Sequence, residues 1–312
     1  MGARKIHVPV KVTGVAAHSD TDLKATEGNI QANIGNILPG AMPPGYVSTL
    51  TKSSLDTKMQ ELSAAGRSAI GDLAPYFLSI SALLELASVA RYRVHGRGQS
   101  LLIRRSPGYV HFLIDGCVLE ETTDSQISRL WRDGAVFGEQ EILHSLSPTN
   151  QPKPNRTRFL NFLSESRCLL IPREKLRVLA LNDPSAMFML ARVGMNRANT
   201  IERLYTVTRK SPASRVAALL DYLAGQTTVM RPKTVENEEK QLVVKPMRNA
   251  IVEGPTQNDI SEALNLGRAT VERAVRELRK EGALQRFGKG ERTNRVYEIA
   301  DRDLLQQIAQ GG

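Results

Sequence analysis

The chain has 312 residues, of which 41% are hydrophobic, and it carries a formal net charge of +10 with a pI of about 9.7. This length suits more than one domain, and the positive charge favours a polyanionic partner such as nucleic acid or an acidic membrane. Two cysteines, Cys117 and Cys168, predict no disulfide framework. No apolar run approaches the roughly 18 residues of a membrane span, and Lys11 interrupts what would be the core of a signal peptide. We therefore expect a cytoplasmic protein with no membrane partner.

Residues 1–70 lack a sustained hydrophobic period, and the stretch GNILPGAMPPGYVSTLTKSS is rich in Gly, Pro, Ser and Thr. Such composition is typical of irregular structure. We predict a mostly irregular, flexible extension, with one short helix near SLDTKMQELSAAG.

The pattern of apolar and turn-forming residues changes in residues 71–184. After a helical stretch, short apolar runs such as YVHFLIDGCVLEE and CLLIP alternate with the turn signals SPG, DG and RDG. Many short strands at such spacing predict a barrel or a roll.

Residues 185–210 predict one long helix with apolar positions repeating every three or four residues. The members of this seam are Met187, Leu190, Gly194, Arg197, Ile201, Leu204 and Thr208. A seam of this kind can pack on the preceding domain or on a second copy of the chain. We favour the second copy, and hence a homodimer.

Residues 211–312 contain a pair of predicted helices. The first, in TQNDISEALNL, opens with a capping-box pattern, Thr256 followed three residues later by Asp259. A short turn, NLG, leads to the second helix, RATVERAVRELRKEG, and two helices joined this tightly form a helix-turn-helix.

The second helix separates its residues by type when plotted at about 100° per residue. One arc holds Val271, Ala274, Val275 and Leu278, and the opposite arc holds Arg268, Arg273, Arg276, Arg279 and Lys280. A solvated charged face would also give this pattern. However, QRFGKGERTNRVYEIA follows, which is typical of a basic β-wing, and residues 268–295 hold nine Lys or Arg against four Glu. A basic helix beside a basic wing predicts binding to double-stranded DNA.

The predicted contacts divide by chemistry. Arg268 and Arg273 have the forked donors that suit guanine O6 and N7, whereas more distant basic side chains suit phosphates. Glu272 lies inside the basic arc, where it could accept from cytosine N4 or pair with Arg268 or Arg276. The predicted DNA-binding residues are Thr256, Arg268, Ala269, Thr270, Glu272, Arg273, Arg276, Arg279, Lys289 and Arg292, and Arg295 is a further candidate for phosphate contact.

The stretch TQNDISEALNLGRATVERAVRELRKEGAL resembles, without a gap, the helix-turn-helix of the Crp–Fnr family of bacterial transcription regulators. Arg268 and Arg273 match the family's two base-reading arginines, but Ala269 replaces its base-reading Glu. The resemblance implies an α+β protein with an amino-terminal cyclic-nucleotide-binding-type β-roll, a long dimerisation helix and a carboxyl-terminal winged helix-turn-helix. It also implies a dimer that binds a pseudopalindromic operator and contacts RNA polymerase.

The resemblance extends back to about residue 74, where FGEQEIL is similar to the family's cyclic-nucleotide cassette. It implies cAMP or cGMP in the roll, held by Gly138, Glu139, Arg156 and Thr157, with Thr200 of the long helix near the base. The insertion HSLSPTNQPKPN and the extra charge of Arg158 depart from the family pattern. Another small ligand, or a ligand-free roll in which Glu139 pairs with Arg156, stays open.

Other chemistries find little support. Two cysteines cannot hold a four-cysteine cluster and the five histidines lack metal-ligand spacing, so we expect no iron–sulfur cluster, haem or metal. The chain has no phosphate-binding loop, nucleophile elbow or zinc-protease motif, and HGRGQS lacks the third glycine of a dinucleotide site. The expected function is a DNA-binding regulator gated by a ligand. The alternative is a regulator whose roll is only a dimerisation or partner-binding scaffold.

Overall fold

The structure is a computed structural model in which the described parts of the chain run with several gaps. The described residues are 57, 59–103, 108–122, 127–146, 158–225, 250–285 and 295–311, together with the backbone of 230–236 and 242–248.

Eight strands form a roll of two antiparallel four-stranded sheets. One sheet has the order β1-β8-β3-β6 and the other the order β2-β7-β4-β5. The strands are β1 (Arg91–His95), β2 (Ser100–Ile103), β3 (Tyr109–Asp115), β4 (Cys117–Thr122), β5 (Ile127–Arg132), β6 (Val136–Phe137), β7 (Arg158–Phe162) and β8 (Ser166–Pro172).

Alternation along the strands builds two layers of core. Leu113 of β3 packs with Phe137, Leu160 and Phe162 between the two sheets, whereas its neighbour Phe112 points to the opposite face. Because successive side chains of a strand point to opposite faces, both faces of β3 are buried. This explains the nearly continuous apolar run in its sequence.

Helices cover the outer face of the first sheet. They are α1 (Ala64–Leu73), α2 (Ile80–Val89), α3 (Glu139–Leu146) and α4 (Arg173–Asn182), with a short 3-10 helix, Ala74–Tyr76. The Ser63 and Ser79 hydroxyls cap α1 and α2 by accepting from the Gly66 and Ala82 N–H groups. Helix α1 begins within the stretch SLDTKMQELSAAG, near which a short helix was predicted. Residues 1–56 lie outside the described part of the chain.

The long helix α5 (Pro184–Ile201) begins after the Asp183 cap and continues as a π-helical turn, Glu202–Thr206. The predicted helix therefore ends before residue 210. The assignment of its apolar seam to a dimer is wrong in part, because Leu190, Arg197 and Leu204 are buried against their own chain.

The carboxyl-terminal part is mostly helical with short hairpins. Its elements are α6 (Pro212–Ala224), β9 (Met230–Glu236), β10 (Leu242–Arg248), β11 (Ala250–Glu253), α7 (Gln257–Leu264), α8 (Arg268–Glu281), β12 (Val296–Ile299) and α9 (Arg302–Gln310). Strand β9 pairs with β10, and it contains the first six residues of the polar stretch RPKTVENEEK. The hydrogen-bond ladder between the two strands outweighs the polar composition of this stretch.

The roll and the carboxyl-terminal helices share one hydrophobic core. Leu119 and Leu130 on the outer face of the second sheet pack with Val216, Ile260 and Leu264. Tyr205 also joins the two parts, since its hydroxyl donates to the Leu130 carbonyl at 2.6 Å and accepts from the Leu130 N–H at 3.0 Å. The predicted division of the chain at residues 70, 184 and 210 stays a prediction.

Candidate nucleic-acid interface and roll interior

The turn between α7 and α8 fixes the position of the basic helix. The Thr256 hydroxyl accepts from the Asp259 N–H at 3.1 Å, and the Asp259 carboxylate accepts from the Thr256 N–H at 2.6 Å. This confirms the predicted capping box. At the other end of α7, Asn265 adopts a left-handed conformation with φ of 49°, which an Asn tolerates better than most residues. A single residue thus ends one helix, and α8 starts three residues later.

The two arcs of α8 are distributed as predicted. Val271, Ala274, Val275 and Leu278 are at most 3% exposed and belong to the shared core. The opposite arc carries its charge in solvent, since Arg268, Arg273, Arg276 and Lys280 are exposed. The helix therefore has a buried apolar side and an accessible basic side.

Two contacts organise the amino-terminal turn of α8. Arg268 Nε donates to Glu272 Oε1 at 3.1 Å, one helical turn away. Arg273 Nη2 contacts the Thr270 hydroxyl at 3.5 Å. Ala269 is exposed and offers only a methyl group. Of the two roles left open for Glu272, the pairing with Arg268 is the one present in this structure.

Other residues that were predicted to contact DNA are partly buried or already have partners within the protein. Arg279 is half-buried, and burial lowers the pKa of its guanidinium beside Tyr297. The Thr256 hydroxyl is already used in the capping box and by Asp259 at 2.8 Å. Arg295, one residue before β12, approaches the Gly254 carbonyl at 3.5 Å.

Lys289 and Arg292, the predicted basic tip of the wing, lie outside the described residues. Its arms are partly seen: β12 pairs with β11, and Leu284 forms an isolated bridge with Ile299. The DNA-contacting roles of these residues stay predictions.

Gly138 and Glu139 lie where β6 meets α3. Gly138 has a φ of +93°, and a Cβ atom there would lie 2.8 Å from the Tyr109 carbonyl oxygen. A side chain is thus excluded by both conformation and space. Glu139 begins α3 and is fully buried, and neither carboxylate oxygen has a hydrogen-bond partner within the described residues.

A second buried carboxylate, Glu120 on β4, is the centre of an ion-pair cluster inside the roll. It accepts from Trp131 Nε1 at 2.9 Å and lies 3.5 Å from Arg158 Nη1. Arg197, from the long helix, donates to the same carboxylate, and its guanidinium carbon lies 4.5 Å from the centroid of the Trp131 ring. The roll interior is therefore tied to the long helix by charge as well as by packing.

The two carboxylates differ in their proton affinity. Burial pushes the pKa of Glu120 upward, but Arg197 and Arg158 outweigh this effect and hold the pKa below its ordinary value. Burial raises the pKa of Glu139, and this effect is larger than the opposing effect of the Arg197 charge. Arg197 Nε is 3.8 Å away and gives no hydrogen bond. Glu120 is the anion that Arg197 neutralises, and Glu139 holds its proton more firmly.

The predicted ligand residues do not all meet here. Arg156 and Thr157 lie outside the described residues, and the Thr200 hydroxyl donates to the Asn196 carbonyl of its own helix at 2.8 Å. Arg158 enters the roll and also pairs with Glu141 at 3.2 Å. Sequence reasoning missed Glu120 and Trp131. Glu120 could have been found, because it follows Val118 by two residues and so shares its inward face.

Within the described ranges, no helix combines the length and apolar character needed to cross a membrane. The same part of the chain contains no group of three or more His, Cys, Asp or Glu arranged to hold a metal ion.

No protein-family model matches the chain. No curated protein matches it in sequence.

Solved structures do match. A cyclic nucleotide binding protein from Ruegeria pomeroyi aligns with a TM-score of 0.51 and 20% identity, over 79% of this chain and 97% of its own. A cAMP-binding regulatory protein from Silicibacter pomeroyi aligns with a TM-score of 0.49 and 20% identity, over 80% of this chain and 100% of its own. A CRP/FNR-family transcriptional regulator from Thermus thermophilus aligns with a TM-score of 0.44 and 22% identity, over 70% of this chain and 98% of its own. The first of these structures confirms the predicted fold class.

Proposed function

We propose that this protein is a homodimeric transcription regulator that binds a pseudopalindromic DNA site through α8. The observation that carries the proposal is the geometry of α8. Its apolar arc is fixed in a shared core, and its basic arc is presented to solvent behind a tight helix-helix turn. A helix held in this way fits the major groove of B-form DNA. The fold shared with solved regulators supports the same function.

An exposed apolar stripe supports the homodimer. Phe188 and Met195 on α5 are 61% and 64% exposed, and Leu181 at the end of α4 is 59% exposed. These three residues are spaced by seven, so the two on α5 lie on one side of that helix. A second copy of the chain, related by two-fold symmetry, would cover the stripe and place two α8 helices on one duplex.

For the roll, we propose a role as a scaffold that needs no cyclic nucleotide. Glu120, Trp131, Arg158 and Arg197 satisfy one another inside the roll. A bound nucleotide would have to compete with these contacts, and separating a buried ion pair is costly.

Gating by cAMP or cGMP is the second candidate, and Glu139 favours it. This carboxylate is buried without a hydrogen-bond partner in the described residues, and a ribose hydroxyl would supply one. The cyclic nucleotide binding protein from Ruegeria pomeroyi, which shares the fold, also favours it.

Calorimetric titration of the full-length protein with cAMP and with cGMP decides between these two roles. We expect no binding heat and no change in affinity for DNA, because Glu120, Arg158 and Arg197 already pair with one another. Heat that disappears in the Arg156→Ala variant, together with tighter DNA binding in the presence of nucleotide, would contradict the scaffold role and establish gating.

The role of Arg268 is tested by base substitution. We expect Arg268→Ala to weaken binding to a selected operator by about 1–3 kcal/mol and to relax the preference at one base position of each half-site. Arg276→Ala is the matched control, because a phosphate contact should weaken all sequences alike and lower the salt slope by about 1. Fluorescence anisotropy across a panel of duplexes and salt concentrations measures both. A uniform loss for both variants would contradict base reading by Arg268.

A further inference from the structure

The pair formed by Arg268 and Glu272 lies on the exposed face of α8. The Arg268 and Glu272 side chains are 67% and 40% exposed, and the contact joins Nε to Oε1 at 3.1 Å. An exposed pair at this spacing contributes little to the stability of a helix. Its main physical effect is therefore on the conformation of the arginine.

The contact uses the guanidinium from one side only. Glu272 accepts from Nε, and among the described residues no other acceptor is bonded to Arg268. The two terminal nitrogens have no hydrogen-bond partner among the described residues, and they match the spacing of guanine O6 and N7. An arginine that is free to rotate would lose more conformational entropy when it binds a base than one already held in place.

The neighbouring residues add no competing contact. Ala269 carries no hydrogen-bonding group, and the Thr270 hydroxyl faces Arg273 at 3.5 Å. Glu272 is the one carboxylate among the exposed basic residues Arg268, Arg273 and Arg276 of this described helix face. Near phosphates, a negative charge lowers the affinity for any duplex. Glu272 therefore lowers the affinity for DNA of every sequence, and a gain in sequence selectivity would offset this loss.

We propose that Glu272 is a positioning residue that determines the base specificity of Arg268. The inference rests on the proposed DNA-binding function and adds to it a residue that acts through another. Glu272 holds the guanidinium for end-on contact with a guanine, and it weakens binding to sequences where Arg268 finds no such partner.

The test uses the full-length protein and a DNA site selected with it. Affinities are measured for that site and for all single-base changes in one half-site. The proteins compared are the wild type, Arg268→Ala, Glu272→Gln and the double variant. We expect Glu272→Gln to reduce the base preference about five- to tenfold at the position that Arg268→Ala affects. We expect the double variant to match Arg268→Ala, because Glu272 acts through Arg268.

Glu277→Gln is the matched control, since it makes the same charge change at an exposed position of the same helix. We expect it to raise the affinity for all duplexes alike and to leave the base preference unchanged. Thermal unfolding of each variant checks that the fold is retained, which the exposed location of Glu272 favours.

Three results would overturn the inference while leaving the proposed function intact. They are an unchanged preference in Glu272→Gln, a preference lost at a different position, and additive losses in the double variant. A preference lost at a different position would mean that Glu272 itself reads a base. If the wild type bound no duplex at low ionic strength, the proposed function would fail first, and this inference with it.

Discussion

Arg197→Ala is expected to lower the free energy of unfolding by about 3–5 kcal/mol, because it removes the most deeply buried cationic partner of a buried carboxylate. Arg197 is 7% exposed and donates to Glu120, which is 2% exposed. The substitution also removes the stacking of the guanidinium on Trp131. Urea unfolding followed by circular dichroism, at one fixed protein concentration, measures the change.

Arg192→Ala is the control for this prediction, because it removes the same side chain from a more accessible place on the same helix. Arg192 stacks on the exposed Phe77 ring at 4.7 Å and approaches the Pro75 carbonyl at 3.4 Å. A loss below about 1 kcal/mol is expected there. Replacing both charged partners, in Glu120→Leu with Arg197→Met, should recover much of the stability. If Arg197→Ala lowered the free energy of unfolding by no more than Arg192→Ala does, the buried cluster would not stabilise the roll.

The double variant Phe188→Glu with Met195→Glu is expected to be monomeric and to bind the full operator about a hundredfold or more weaker than wild type. Two charges in the proposed apolar contact cannot be desolvated at low cost. A monomer also loses the effective concentration that links two half-sites. Sedimentation analysis measures the association state, and anisotropy with one-half-site and two-half-site duplexes measures the affinity.

Val94→Glu is a matched control for the dimer variant. Val94 is an apolar residue that is 60% exposed, but it lies on the edge strand β1 rather than on the long helix. We expect this variant to stay dimeric and to bind DNA as the wild type does. A double variant that remained dimeric, or a monomer that retained full operator affinity, would disprove the proposed arrangement.

The parts of the fold that depend on local pattern were predictable from the sequence. The buried arc of α8 follows the helical period, and the capping box at Thr256 and Asp259 depends on residues three apart. The short strands of the roll were recognisable because turn signals separate them. In each case the determining residues are neighbours in the chain.

The parts that depend on distant contacts were not predictable. A seam along the long helix has the same spacing whether it packs on a second copy or on its own domain. Arg197 looked like an imperfect seam member, and only the fold brings it to Glu120, 77 residues away. The stripe formed by Phe188 and Met195 was missed, because nothing in the heptad pattern says which side of the helix the roll covers.

The apolar core shared by the roll and the carboxyl-terminal helices has a consequence for the choice of operator. Leu119 and Leu130 hold α7 against the second sheet, and α7 in turn positions α8. In a two-fold dimer, the distance between the two reading helices is therefore set by packed side chains rather than by a loose tether. If the two half-sites of a duplex were moved apart by a few base pairs, the dimer could bind only one half-site at a time. Each added base pair also rotates the second half-site around the DNA helix axis, away from the second reading helix.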